Sequence, residues 1–365
     1  MSDKSNPLVE ALQKAMEASN EQDIKASKIK TAKLNAQYNK ILENEAKVGT
    51  LKDIDIFNRP AEYYEKLEIE NDEYLDNAKE SAMFLTSDFH EAVPFFQKNL
   101  IIIGAKSGEG KSTIASNIAL ETIKQGKHCL MITNEEVDTD VFNRVTCLIN
   151  GWAYNNHKKF TDEQRLAFKK NYSLLGKRLL VLNDMSNGSG GATTSIQGLK
   201  SILDKVVESE VKTACIILDY FQNVNEDIES QGESEYTVLK RVASLLDKYR
   251  KYVGCPIVVM VQMKAESGEG SDFKFRIEHC KEIYTKSTCA LEVTADRESR
   301  RTIFTVRKSR FADALSKEIA VGFDKGRYVK YDHEFKMRAI ANMDARKHTD
   351  TMANVMTERK LEKVP

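Results

Sequence analysis

The stretch Leu100-Ile-Ile-Ile-Gly-Ala-Lys-Ser-Gly-Glu-Gly-Lys-Ser-Thr113 constrains this chain more than any other. Four apolar residues, Leu100 to Ile103, predict a buried strand. A glycine-rich turn follows, then Lys111-Ser112-Thr113, then a helical pattern at Ile114, Ile118, Ala119 and Ile123. Strand, turn, Gly-Lys-Ser and helix together are what a phosphate-binding loop needs. Glycines let successive backbone N–H groups turn inward, and the helix aims its positive end at the same spot. Ser107, Gly108, Glu109, Gly110, Lys111, Ser112 and Thr113 therefore form the predicted phosphate cradle. Lys111 would reach the β- and γ-phosphates, and the Ser112 hydroxyl would hold Mg²⁺. The usual pattern opens with glycine five residues before Gly110, where this chain has Ala105. The competing reading is an ordinary glycine-rich turn. Ser267-Gly-Glu-Gly270 repeats Ser107-Gly-Glu-Gly110 without the Lys-Ser or the apolar helix, and it reads as a plain loop.

At 365 residues the chain has room for one large domain with appendages, or for two domains. Its 55 basic and 55 acidic residues cancel, so contact with a polyanion must be local rather than global. The six cysteines contain no Cys-x-x-Cys pair and read as small core residues, not as zinc ligands or disulfides. No apolar run approaches the roughly 18 residues of a membrane span, and no signal peptide is evident. A reducing, cytoplasmic compartment is expected.

Residues 1–80 read as an α-helical N-terminal region, with only weak periodicity up to Pro60. The stretch from Ala61 to Phe84 predicts a clearer helix with an acidic face. That face is either simply solvated or belongs to a linker helix that docks on a neighbouring subunit. From about residue 85 strands and helices alternate. Predicted strands are Asn99–Gly104, Lys127–Thr133, Arg178–Asn183, Thr213–Asp219 and Pro256–Gln262, with later ones near Leu291–Ala295, Thr302–Lys308, Glu318–Phe323 and Arg327–Tyr331. Near-continuous apolar strands between helices argue for an α/β fold with a mainly parallel, twisted, doubly wound sheet. Ligands on such sheets bind at the carboxyl ends of the strands. The expected division is a helical region at 1–80, a motor domain at 81–335 and a charged tail at 336–365.

Three later strand ends carry the residues that would complete a phosphate site. Ile132-Thr-Asn-Glu-Glu136 ends a strand in two carboxylates. Glu135 could polarise an attacking water. A helix N-terminus favouring acids through its dipole explains the pair equally well. Cys215-Ile-Ile-Leu-Asp-Tyr-Phe-Gln222 reads as a Walker B strand, with Asp219 placed for hydrated Mg²⁺. Ile257-Val-Val-Met-Val-Gln262 ends in an amide suited to sensing a γ-phosphate, or in a satisfied strand-end glutamine.

Taken in order, these motifs resemble the RecA-like, P-loop NTPase motor domain of the DnaB-family replicative helicases and their phage relatives. The resemblance covers about residues 85–335. The family's phosphate loop also commonly begins with alanine. Glu135 falls at the family's catalytic glutamate, and Arg144, nine residues on, at a family arginine of the same spacing, here a nucleotide-binding candidate. Asp219-Tyr-Phe-Gln222 is similar to the family's Asp-Tyr-Leu-Gln, and Gln262 to its sensor strand, with Val261 in place of serine. Lys308-Ser-Arg310 resembles the family's Lys-x-Arg, whose two basic side chains act in trans on the neighbouring subunit's ATP. The resemblance implies ATP and Mg²⁺ as cofactors, a homo-hexameric ring, single-stranded DNA as track, 5′–3′ movement, and a primase or loader as partner, in a bacterial or phage-infected cytoplasm.

Three departures stand out. No separate N-terminal collar domain is recognisable. The family's acidic stretch before its penultimate strands is here Ile283-Tyr-Thr-Lys-Ser-Thr288. The loop after Asp219, which the family turns toward DNA, is strongly acidic from Asn225 to Glu235. The loop after Gln262 offers Lys264, Lys274 and Arg276 instead, and the sequence does not choose between the two loops. Two other functions stay open at this point. One is a RecA-like recombination or loading ATPase that binds single strands without unwinding. The other is a non-catalytic module that uses ATP to hold an assembly together.

Overall fold

The computed structural model describes residues 87–338 apart from 94, 155–159, 184–194, 225–232, 265–272, 278–280 and 311–313, together with residues 65, 68–72, 76 and 341. The predictions for residues 1–60, for the polar loop at 184–194, for most of the acidic loop, for the second Ser-Gly-Glu-Gly copy and for most of the tail lie outside those residues. Residues 68–72 are helical, within the helix expected before residue 84.

Nine strands form one sheet in the order β3-β2-β4-β5-β1-β6-β7-β8-β9. β1 (Leu100–Ala105) lies between β5 (Ile257–Gln262) and β6 (Cys289–Asp296), parallel to both. β4 (Thr213–Asp219) joins β5 to β2 (His128–Thr133), and β3 (Leu179–Leu182) forms the edge. These pairings are parallel, as the near-continuous apolar runs predict. β7 (Arg301–Ser309), β8 (Glu318–Asp324) and β9 (Arg327–Lys330) extend the sheet in antiparallel fashion beyond β6. β6 and β7 run longer than predicted because each pairs along its whole length with the other.

Both faces of the sheet are covered, so every central strand is buried twice. On one face Ile101, Ile103, Met131 and Ile217 meet α2 (Lys111–Lys124), α3 (Asp138–Asn150) and α4 (Asp162–Leu175), with Phe89 of α1 (Ser87–Ala92) edge-on to Phe304. On the other, Leu100, Ile102, Ile216 and Val259 meet α5 (Ile196–Glu208) and α6 (Glu235–Tyr249). The alternation along β1 is the period-2 rule acting on a strand that has no polar side. Helix starts follow local chemistry. Ser195 Oγ accepts from Gly198 N at 3.0 Å, and Ser234 Oγ accepts from Thr237 N at 3.3 Å, each satisfying an N–H that the helix leaves open. α6 stops three residues earlier than predicted. There the Arg250 guanidinium turns back to Asp247 and to the Lys98 carbonyl.

The five described cysteines are free and buried, as core residues should be. No helix among the described residues is long and apolar enough to cross a membrane.

Candidate nucleotide site

β1, β2, β4 and β5 end on the same side of the sheet, because they are parallel and in near register. Thr133 stands beside Asp219, and Ala105 beside Gln262. The predicted site residues arrive together for that reason.

The loop after β1 turns as the sequence predicts. Gly108 and Gly110 adopt φ of +77° and +91°, a region that side chains with a Cβ rarely enter. The loop closes on itself: Glu109 N donates to the Lys106 carbonyl, and Lys106 N donates to Glu109 Oε2 at 3.1 Å. α2 begins directly after Gly110, so its open N–H groups face the loop. The Lys111 ammonium donates to Gln262 Oε1 and lies 5.4 Å from the Tyr220 ring centroid. Two residues chosen from different motifs, 151 positions apart, are thus in direct contact.

Asp219 is fully buried, and neither carboxylate oxygen has a hydrogen-bond partner. Burial pushes its carboxyl up to about 6. The Ser112 hydroxyl beside it draws it back, and the Glu136 and Glu135 charges push it further up. A bare carboxylate beside a serine hydroxyl at a phosphate loop fits a hard cation such as Mg²⁺. Ser112 and Asp219 would hold that ion, which when bound would neutralise phosphate charge.

Glu135 is exposed at the mouth of the site, and its N–H donates to Thr133 Oγ1. Arg144 lies close enough to lower the Asp219 carboxyl, yet its guanidinium is taken up by Glu136.

Lys308 and Arg310 lie elsewhere. β7 runs antiparallel to β6, so Ser309 stands opposite Cys289, level with Ile101. Five residues separate that level from Lys106, or about 16 Å along a strand. Arg310 is exposed at the far end of the sheet from its own phosphate loop. The Lys308 ammonium caps α8 (Glu282–Lys286), donating to the Tyr284 and Thr285 carbonyls at 2.5 and 2.9 Å, and lies 5.0 Å from the Tyr284 ring centroid. Burial, with Arg310 nearby, lowers it to about 8.

The predicted DNA-facing side chains divide. Lys264 is exposed where β5 ends. Arg276 pairs instead with Glu292 at 2.5 Å and is 12% exposed, while Arg307 holds the other oxygen of Glu292 at 2.6 Å. The Lys274 side chain lies outside the described residues.

Sequence reasoning missed the residues that brace the site. Asn134 clamps the chain after Asp219: its Nδ2 donates to the Tyr220 carbonyl, and its Oδ1 accepts from Tyr220 N. Gln222 does the same for Gln262, donating to its carbonyl and accepting from its N–H at 3.0 Å each. Arg297, in the β6–β7 turn, donates to the Gly108 carbonyl at 2.9 Å. Gln222 ends a motif the sequence had already marked, and Asn134 precedes one. Nothing in the sequence ties Arg297 to the loop.

The family described as the DnaB-like helicase C terminal domain matches residues 86–276, just over half of the chain. No curated protein matches the sequence. Among solved structures, the ATPase domain of a phage-type helicase superposes with a TM-score of 0.59 at 11% identity, over 73% of this chain and 98% of that one. A DnaB-like replicative helicase, solved with attention to its interactions with primase, gives a TM-score of 0.59 at 12% identity, over 85% of this chain and 75% of that one. At those identities the likeness carries the fold, which is the RecA-like one expected. The match over residues 86–276 includes the phosphate loop, the paired carboxylates, the Asp219 strand and Gln262, and with them the chain belongs to the family of DnaB-like helicase C-terminal domains.

Proposed function

We propose that the chain is the motor of an ATP-driven replicative DNA helicase that moves 5′–3′ along single-stranded DNA as a homo-hexameric ring. The observation that carries this reading is the gathering of Lys111, Ser112, Asp219, Gln262 and Glu135 at one end of four parallel strands. The cradle of Ser107 to Thr113 would bind the ATP phosphates, with Lys111 on the β- and γ-phosphates. Ser112 and Asp219 would hold Mg²⁺. Glu135, exposed at the mouth of the site, is suited to accept a proton from the attacking water. Gln262 already reports to Lys111 through a direct contact. A γ-phosphate drawing Lys111 away would release that contact and be felt along β5 and into the loop that follows it. Arg144 would turn to the nucleotide from α3.

Lys308 and Arg310 would complete the site of the next subunit. The sheet register supports this, since Arg310 cannot reach its own loop. Lys264 and Lys274 are our candidates for the DNA strand. Arg276, held by Glu292, is better read as a brace for that loop. The family's link with primase makes a primase or a loader the expected protein partner, in the cytoplasm of a bacterium or of its phage-infected form. Residues 81–335 would be the motor, with 1–80 and 336–365 as appendages.

Glu135→Gln tests the chemistry. ATP binding should persist, and DNA-stimulated hydrolysis should fall by about 10²–10⁴-fold, the range of a lost general base. Turnover persisting in that variant would remove Glu135 from its role. Strand displacement by the unaltered chain separates unwinding from single-strand binding alone.

A further inference from the structure

Glu136 has no role in the site as built so far, and its surroundings give it one. The Arg144 fork grips it with both terminal nitrogens: Nη1 donates to Oε2 at 2.6 Å and Nη2 donates to Oε1 at 2.5 Å. The two side chains are 14% and 18% exposed. The Tyr154 ring covers the guanidinium, 5.2 Å from its centroid, and the Tyr154 hydroxyl is tied to Asp140 at 3.2 Å. Glu136 is anchored at its backbone, where its N–H donates to Thr133 Oγ1 at 3.2 Å, just past β2. Both partners act on Asp219, Glu136 raising its carboxyl and Arg144 lowering it.

A planar guanidinium presents the same pair of donors to a carboxylate as to a phosphate. Here both of those donors are used. An Arg144 that binds nucleotide must therefore give up Glu136, because one fork edge cannot serve two anions at full strength. Glu136 is the fixed partner, held by the strand end. Arg144, on a long flexible stem, is the one that can move.

We propose that Glu136 is a positioning residue that competes with the phosphates of a nucleoside triphosphate for the Arg144 guanidinium. In the empty site it parks Arg144 next to Asp219. Nucleotide entry exchanges the carboxylate for phosphate, and product departure lets the pair re-form. Glu136 thereby weakens nucleotide binding and assists release, which suits a motor that must empty its site on every cycle. This inference rests on the reading of Arg144 as nucleotide-binding.

The test is equilibrium titration of the full chain with a fluorescent, slowly hydrolysed ATP analogue and Mg²⁺. The chains compared are the unaltered one, Glu136→Gln, Arg144→Ala and the double variant. Arg144→Ala should weaken binding about tenfold, the scale of one charge-assisted hydrogen bond. Glu136→Gln should tighten binding by a similar factor, and that gain should vanish in the Arg144→Ala background. If Glu136→Gln binds no more tightly than the unaltered chain while Arg144→Ala is weakened, competition is overturned and the Arg144 reading stands. If the gain survives without Arg144, Glu136 acts only as a negative charge near the phosphates, and the proposal falls. If Arg144→Ala binds normally, the Arg144 reading falls and takes this one with it. Glu136→Met, similar in length and uncharged, replaces Glu136→Gln if that variant fails to fold, with the same outcomes decisive.

Discussion

Asp219 shows what a single buried charge demands of this fold. Its carboxylate has no exposed surface and no hydrogen-bond partner, so in the absence of a cation its ionised form is disfavoured. Its carboxyl lies at about 6 rather than the ordinary 3.8. A raised acid binds its proton more tightly when folded than when unfolded. Above pH 6 both states are ionised, and the folded state bears the full cost of burial. As pH falls from 6 toward 3.8, the folded state takes up the proton first and is stabilised. Below 3.8 both states are protonated and no further gain follows. The shift corresponds to at most about 3 kcal/mol. The cation-free chain should therefore draw stability from Asp219 on going from about pH 7.5 to about pH 5, measured by thermal melting against Asp219→Asn. That variant should melt higher than the unaltered chain at the upper pH without Mg²⁺, and the gap should shrink at the lower one. Mg²⁺ with ATP should stabilise the unaltered chain and leave Asp219→Asn nearly unmoved. If the variant melts lower at the upper pH without the cation, the burial argument is wrong.

Elements carry the second kind of constraint, and here sequence and structure can be weighed against each other. The central strands were legible because burial on both faces writes an unbroken apolar run, as in Leu100 to Ile103 or Ile257 to Val261. The residues at their ends were legible for a related reason: a polar group closing such a run stands out, as Asp219 and Gln262 do. Long-range pairings were not legible. No local pattern announces that Gln222 holds Gln262, that Arg297 reaches Gly108, or that Glu292 engages both Arg276 and Arg307. Lys308 was chosen by its motif, but its present partners, the end carbonyls of α8, follow from strand register alone. Gly104 belongs to this scale too. A Cβ there would come within 2.8 Å of Met263 Sδ and 2.9 Å of the Phe273 ring. The last turn of β1 thus packs directly on the residues following β5, and the Phe273 ring in turn packs against Tyr284 beneath Lys308. Gly104→Ala should cost about 1–3 kcal/mol through overpacking, read as a lowered denaturant midpoint with an unchanged slope. Because the displaced side chains carry the loop that bears Lys264 and Lys274, DNA affinity should fall more than ATP affinity. Equal losses in both would mean that the strain spreads through β1 into the phosphate loop instead.

At the scale of the whole molecule, the sheet is a ruler. The phosphate loop sits at one end of the parallel strands and Arg310 at the other, with β6 and β7 spanning the distance between them. One chain can place only one of the two at any given nucleotide. If both are needed, the working unit is an interface, and the interface is head-to-tail: the surface offering Arg310 differs from the surface offering Lys111. Head-to-tail contacts close into rings when the rotation between neighbours allows. Complementation tests this directly. Lys111→Ala removes the phosphate ligand from a subunit's own site, and Arg310→Ala removes what that subunit lends to its neighbour. Each variant alone should hydrolyse almost no ATP. Mixed in equal amounts and allowed to exchange, they should regain activity wherever an Arg310→Ala subunit, with its loop intact, meets an intact Arg310 from a Lys111→Ala neighbour. Random assembly puts that pairing at about one interface in four, so ATPase should recover to about a quarter of the unaltered level if interfaces act independently. A lower value with the same dependence on mixing ratio would mean that sites around the ring fire in concert. Silence at every ratio would mean that Arg310 serves no neighbour, and the division of the site between two chains would be wrong.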